Sequence, residues 1–198
     1  MDHSLLLRNI ARYVKLDKQE EEYLIPLLQN EKVKSGKVLL EAGELNSRVI
    51  FVTRGCLRSY ALDENGSEHV FQFAPAGSWL VDMPSFITQE PARLNISAIE
   101  NSEIIYLLKS DFDTLHLQLP KFERFGRVLT INGMISFQHH QIDNVSLSPT
   151  GRYMNFCRSY PLLIDTLPPK EIASYIGITV EALAKIPDTG ITKRIGIC

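Results

Sequence analysis

The middle of the chain is divided into short segments of alternating apolar and polar residues, and this pattern constrains the fold more than any other feature. Asn65-Gly66 stands between two of these segments and is the strongest short signal for a β-hairpin. Short strands separated by turn signals at even spacing are typical of antiparallel sandwiches and barrels. The predicted strands span residues 37–41, 48–52, 56–62, 68–73, 94–99 and 103–108.

Helical patterns flank this β-region on both sides, so the predicted fold class is α+β. Near the start, apolar residues recur at helical spacing, and Asp17 with Glu20 three residues later forms a capping-box pattern. Pro120 opens a long helix in which Val128, Ile135 and Ile142 recur every seven residues. That spacing is typical either of a coiled-coil seam or of a helix packed against the β-region, and both interpretations stay open.

The composition of the chain limits the classes of function that it can have. The chain has 198 residues, 44% of them hydrophobic, and a formal net charge of −2, so any nucleic-acid binding must come from a local surface. No apolar run is long enough for a membrane span, and the first residues do not read as a signal peptide. Three distant cysteines give neither a disulfide framework nor a zinc motif, and we expect a cytoplasmic protein.

The segment from Ile172 to Ile186 predicts two short helices that cross at a sharp turn. Small Ala173 lets the helices approach closely, and Gly177 supplies the left-handed conformation that ends the first helix. Thr179 is placed to cap the second helix. This spacing is typical of a helix-turn-helix, although an ordinary helical hairpin is the alternative.

Taken together, the order of β-region, long helix and helix pair resembles the Crp/Fnr family of bacterial transcription regulators. The sequences of the matching segments resemble those of its Bacteroidetes-type branch. The resemblance covers nearly the whole chain. It implies a jelly-roll domain that senses a small effector (residues 1–118), a long dimerisation helix (119–143) and a helix-turn-helix DNA-binding domain (147–198). Its most specific segments are Phe73–Gly77, the connection from Arg152-Tyr153 to Tyr160-Pro161, and Ile172–Thr179.

The same resemblance implies an effector site at Asp82, Ser85, Arg93 and Gln138, but the sequence departs from the family pattern there. Family members that bind cyclic nucleotides carry Gly-Glu before a short helix and Arg-Ser or Arg-Thr after it. Here Val81-Asp82 replaces the first pair, and Ala92 stands at the arginine position with Arg93 one place later. Since a one-residue shift on a strand reverses the side chain, we expect no cyclic nucleotide and either another effector or none.

For DNA binding, the resemblance points to the second helix of the pair and the tail. Ala184 and Lys185 stand where relatives offer serine and arginine, and Pro187 ends the helix early. The final residues do not resemble the family's ending, so we expect either a short hairpin wing or a terminus that is altered or truncated. The predicted DNA-contacting residues are Thr179, Glu181, Ala184, Lys185, Lys193 and Arg194.

We therefore predict a homodimeric regulator that binds double-stranded DNA, with no enzyme activity and no metal. A cupin-type enzyme would need a His-x-His motif, which the sequence lacks. A haem would need an axial ligand, for which His69 or Cys56 is available. The principal alternative is a jelly-roll dimer that has lost DNA or cyclic-nucleotide binding and acts through a protein partner.

Overall fold

The computed structural model describes residues 3–187, which form two compact units. The first unit comprises Met1–Ala61 and Phe71–Gly133, and the second comprises Leu62–Val70 and Met134–Cys198. The chain therefore crosses between the units within one β-hairpin and again within the long helix. Lys193 and Arg194 lie outside the described residues.

Two four-stranded antiparallel sheets form a sandwich of the jelly-roll type, as the sequence predicts. The sheet orders are β1-β8-β3-β6 and β2-β7-β4-β5. The strands are β1 (Gln29–Val33), β2 (Val38–Leu40), β3 (Arg48–Arg54), β4 (Cys56–Leu62), β5 (Glu68–Pro75), β6 (Trp79–Leu80), β7 (Asn95–Ala98) and β8 (Ser102–Leu108).

Strand β3 is buried on both of its faces, which explains its continuous apolar sequence. Ile50 and Val52 point into the interior between the sheets, whereas Val49 and Phe51 point to a second apolar cluster on the outer side. Helices of the first unit supply most of that outer cluster: α1 (Ser4–Ala11), α2 (Lys18–Leu24), α3 (Met83–Thr88), α4 (Lys109–Gln118) and, through Phe122 and Phe125, the start of the long helix that follows. The predicted capping box is present, since Asp17 accepts from the Glu20 amide and Glu20 accepts from the Asp17 amide.

A close contact between α4 and the long helix α5 (Pro120–Ser146) depends on a glycine. A Cβ added at Gly126 would lie 2.5 Å from His116 Nε2 and 2.9 Å from His116 Cε1. The His116 ring has little room to withdraw, because its centroid lies 4.1 Å from that of Phe112 and 5.4 Å from that of Phe122. Gly126 therefore sets the distance between the two helices.

We expect Gly126→Ala to destabilise the protein and Gly133→Ala to stabilise it. Overpacking at the first position costs about 1–3 kcal/mol, more than the gain of up to about 1 kcal/mol in helix propensity. Gly133 lies on the same helix, but no atom lies within 4 Å of its added Cβ, so only the propensity gain remains. Urea unfolding of the two variants should show midpoints displaced in opposite directions, and equal shifts would refute the packing argument.

Up to Pro187, where the described residues end, the second unit contains the end of α5, the hairpin tip and three further helices. These helices are α6 (Pro149–Ser159), α7 (Pro169–Tyr175) and α8 (Val180–Ala184). Gly177 has φ +66° and ends α7, and the Thr179 hydroxyl accepts from the Ala182 amide at 3.2 Å to cap α8. The predicted pair of helices is confirmed, but α8 ends at Ala184 and is shorter than the segment to Ile186 that the sequence suggests.

Candidate functional site

The predicted effector residues Asp82 and Ser85 lie together in the first unit, but both are buried and already bonded. Asp82 caps α3 by accepting from the Ser85 amide at 3.0 Å, and its second oxygen accepts from the Leu94 amide at 3.2 Å. The Ser85 hydroxyl accepts from the Asn46 amide at 2.9 Å, and the Asn46 side chain donates to the Asp82 carbonyl at 3.2 Å. These polar groups hold α3 to two neighbouring chain segments.

Arg93 does not join this cluster, because Ala92 takes the inward position. Ala92 is 4% exposed and belongs to the apolar cluster between the sheets, whereas Arg93 is exposed. The neighbouring backbone is fixed, since the Ala92 amide donates to the Glu44 carbonyl at 2.7 Å and its carbonyl accepts from Gly43 at 2.8 Å. The fourth predicted residue, Gln138, is exposed on α5 in the second unit.

Aliphatic side chains fill the space between the two sheets. The buried members of this cluster carry no charge, so the sandwich interior offers no cation that could bind a phosphate. They are Val33, Leu40, Ile50, Val52, Leu57, Ala74, Leu80, Ala92, Ile96, Ala98 and Ile104.

A cavity of about 340 Å³ opens from this interior near the connection between β2 and β3. Leu40, Ile50 and Ile96 form its apolar part, and Glu44 and Arg48 add charge to its lining. The Arg48 guanidinium is already engaged, because it lies 3.3 Å from Glu31 Oε2 and 4.7 Å from the centroid of the Tyr106 ring. No pattern in the sequence pointed to this cavity.

The two residues available as haem ligands differ in their exposure to solvent. His69 is at the exposed hairpin, where its Nε2 lies 3.0 Å from Asp63 Oδ2, and the thiol of Cys56 is buried. Within residues 3–187, His, Cys, Asp and Glu side chains form no group of three that could hold a metal ion.

Helix α5 exposes an apolar stripe along the side opposite to its packing contacts. At 100° per residue, Phe122, Gly126 and His140 fall on the packed side. The opposite side follows the alternating three- and four-residue spacing of a coiled-coil seam. It carries Val128, Ile131, Ile135, Gln138, Ile142 and Val145, of which all but Val128 are exposed.

An aromatic cluster in the second unit fixes α7 against the end of α5. The His140 ring stacks on Tyr175 with centroids 4.2 Å apart, and Phe156 and Tyr160 lie on Tyr175 at 5.8 and 5.6 Å. Burial, followed by the nearby Tyr160, raises the pKa of Tyr175 far above its ordinary value, so this hydroxyl remains protonated. Arg152 adds a polar connection, since its guanidinium donates to the Gly177 carbonyl at 3.4 Å.

We expect the stability of the second unit to fall in mild acid through His140. Burial lowers the pKa of His140 below its ordinary 6.5, and the Asp143 carboxylate opposes that shift. The unfolded chain therefore takes up this proton at a higher pH than the folded chain, and stability decreases as pH falls below 6.5. His140→Gln should flatten this dependence in unfolding curves followed by helix content, and His139→Gln at the exposed neighbour should preserve it.

Four of the predicted DNA-contacting residues lie on or beside α8. Thr179, Glu181, Ala184 and Lys185 are all exposed. The pKa of the Glu181 carboxyl is lowered by its own backbone amide and by the Thr179 hydroxyl, so the side chain is an anion at neutral pH. This helix therefore offers one acidic and one basic group to a ligand.

One family model matches part of the chain, over the β-strands and helix α4. Residues 30–118 match the family model of the Cyclic nucleotide-binding domain. No curated protein matches the sequence of the chain. In the part of the chain that the structure describes, no helix has the length and apolar character needed to cross a membrane.

Solved structures share the fold over most of the chain, at low sequence identity. FixK2 of Bradyrhizobium japonicum aligns with TM-score 0.73 and 16% identity, covering 84% of this chain and 85% of its own. A protein of Eubacterium rectale described as a putative Crp/Fnr-family transcriptional regulator aligns with TM-score 0.70 and 14% identity, covering 86% and 82%. The catabolite activator protein of Thermus thermophilus aligns with TM-score 0.57 and 18% identity, covering 90% and 84%.

Proposed function

We propose that this chain is a cytoplasmic, homodimeric transcription regulator of the Crp/Fnr type that binds double-stranded DNA. The observation that carries the proposal is the helix pair at Gly177, in which a capped α8 without buried residues follows α7, whose Ile172 and Ala173 are buried. A second helix presented in this way is the element that a helix-turn-helix inserts into the major groove. The shared fold with known regulators supports the same conclusion.

In this proposal α5 is the dimerisation helix, and its exposed stripe packs against the same stripe of a second copy. The seam keeps coiled-coil spacing from Val128 to Val145. A two-fold dimer would place two α8 helices side by side and would match a two-fold symmetric operator. An effector that changes how the α5 helices pack would alter the spacing of the α8 helices.

We propose that the effector is not a cyclic nucleotide. The buried Asp82 already accepts two backbone hydrogen bonds, and Ala92 offers a phosphate only a methyl group. We therefore expect that about 1 mM cAMP or cGMP leaves the unfolding midpoint followed by Trp79 fluorescence unchanged, since a ligand stabilises only the state that binds it. An increase in the midpoint that Arg93→Ala abolishes would contradict this expectation.

A gel-shift assay against the DNA upstream of the chain's own gene tests the proposed function. We expect a complex at low salt that weakens as salt rises, because contacts with phosphates release counterions. Replacement of the exposed Lys185 by alanine should weaken this complex. Absence of any complex with duplex DNA, by a protein shown to be folded, would refute the proposal.

The second candidate function is a dimer that acts through a protein partner. It is favoured by one observation, namely that α8 has only five residues and carries Glu181, an anion that phosphates repel. This candidate predicts that the folded dimer binds no duplex at any salt concentration, so the same assay separates the two functions.

A further inference from the structure

A cavity of about 660 Å³ lies where helix α1 crosses the turn between β5 and β6. Its wall is formed by one side of α1, by Arg12 directly after this helix, and by the turn residues 76–78. All of these residues belong to the first unit. The cavity shares no lining residue with the smaller cavity near β2 and β3, nor with the predicted effector residues. Its volume is typical of sites for small molecules.

The side chain of Asn9 fixes the two walls of this cavity to each other. Its Nδ2 donates to the Gly77 carbonyl at 3.0 Å, and its Oδ1 accepts from Trp79 Nε1 at 2.9 Å. The Trp79 ring is held in turn by Phe51 and Phe125, whose ring centroids lie 5.0 and 5.6 Å from its own. The cavity is therefore formed before any ligand enters it, which lowers the cost of binding.

Two arginines give the cavity its charge. Arg8 and Arg12 are four residues apart, so their side chains lie on the same face of the helical turn, and both line the cavity. Among the described residues, no aspartate or glutamate lines it. Within residues 3–187 neither guanidinium takes part in an ion pair or a hydrogen bond. The cavity thus carries two permanent positive charges that this part of the chain does not neutralise.

The lining determines which class of anion fits. A guanidinium binds a phosphate group through two parallel hydrogen bonds, and Cβ atoms one helical turn apart are separated by about 5–6 Å. Each arginine can therefore hold its own phosphoryl group of one diphosphate. On the opposite wall the Ser78 hydroxyl, which has no hydrogen-bond partner among the described residues, is available as a third polar contact. Leu5 and Ala11 offer apolar surface to the organic part of the ligand.

We propose that this cavity binds a small organic diphosphate, with Arg8 and Arg12 each holding one phosphoryl group. A cyclic nucleotide carries a single charge on one phosphodiester and does not span the two guanidiniums, so cAMP and cGMP are not ligands of this site. The site lies outside the interior of the sandwich, and its binding does not require DNA or a second copy of the chain. Its test is therefore independent of the proposed function.

Calorimetric titration of the full chain with inorganic pyrophosphate, at constant ionic strength, tests the site. We expect saturable binding, and a saturable change in the fluorescence of Trp79, whose indole is bonded to Asn9 in the cavity wall. Orthophosphate reaches one guanidinium at a time and should bind at least about tenfold more weakly, the factor for loss of one hydrogen bond with a charged group. Equal affinity for the two anions would overturn the diphosphate assignment.

Three variants locate the binding. Arg8→Gln and Arg12→Gln should each raise the dissociation constant for pyrophosphate at least about tenfold. Arg93→Gln is the matched control, because Arg93 is an exposed arginine of the same unit that lines neither cavity, and its variant should bind like the original chain. All three replaced side chains are exposed, so the unfolding midpoints without pyrophosphate should agree. Absence of saturable binding by the folded protein, or equal weakening in all three variants, would overturn the proposal.

Discussion

Replacement of Ile135 by glutamate is expected to convert the proposed dimer into a monomer. Ile135 lies in the middle of the exposed stripe of α5, one heptad from both Val128 and Ile142. Two-fold symmetry would bring both new carboxylates into the same buried seam, without a cationic partner. We expect the dissociation constant to rise at least about a hundredfold, because an unpaired buried charge costs several kcal/mol.

Sedimentation equilibrium measures this change directly, and Ser136→Glu provides the matched control. Ser136 is the next residue along the same helix, is exposed, and lies well away from the stripe. Its variant carries the same added charge and should remain a dimer. A dimeric Ile135→Glu, or two variants that dissociate equally, would show that this stripe is not the dimer interface.

Replacement of Gly177 by valine is expected to unfold the helix pair while the β-domain stays folded. Gly177 has φ +66°, a conformation that costs an ordinary residue about 1–2 kcal/mol and a β-branched residue more. The added Cβ would also lie 3.3 Å from the Arg152 guanidinium, which holds the turn. We expect a loss of at least about 2 kcal/mol in the second unit, together with loss of DNA binding.

Two signals separate the units in this experiment. Trp79 is the chain's single tryptophan and lies in the first unit, so its fluorescence should keep the original unfolding midpoint. Helix content should decrease at a lower urea concentration. Gly177→Asn is the control, because asparagine tolerates the left-handed conformation, and it should retain most of the stability. If valine were tolerated as well as asparagine, the turn would not depend on this conformation.

The sequence predicted the strands that alternate and end at clear turns, and it missed two that lack those signals. Strand β1 has the polar sequence Gln29–Val33 and buries only its last residue, and β6 contains only Trp79–Leu80. Strand β1 forms because it pairs with β8, and β6 forms because it pairs with β3. This pairing depends on tertiary structure, which the local periodicity of the sequence does not indicate.

In the candidate sites, too, the sequence predicted local features and missed contacts between distant segments. Capping patterns at Asp17 and Thr179 and the left-handed glycine at Gly177 are local, and the sequence placed them correctly. Asn46 and Ser174 gave no signal. Asn46 donates to the Asp82 carbonyl 36 residues away, and Ser174 donates to the Glu68 carbonyl 106 residues away. The spacing of residues in a sequence therefore indicates a cap or a turn, but it does not indicate a buried polar contact between distant segments.

The proposed function depends most on a two-fold dimer that presents two α8 helices to one duplex. Hydroxyl-radical footprinting of the complex with the upstream DNA tests this arrangement directly. We expect two protected segments on the same face of the duplex, with centres about 10–10.5 base pairs apart or at a multiple of that distance. A single protected segment, or uniform protection without a repeat, would contradict it.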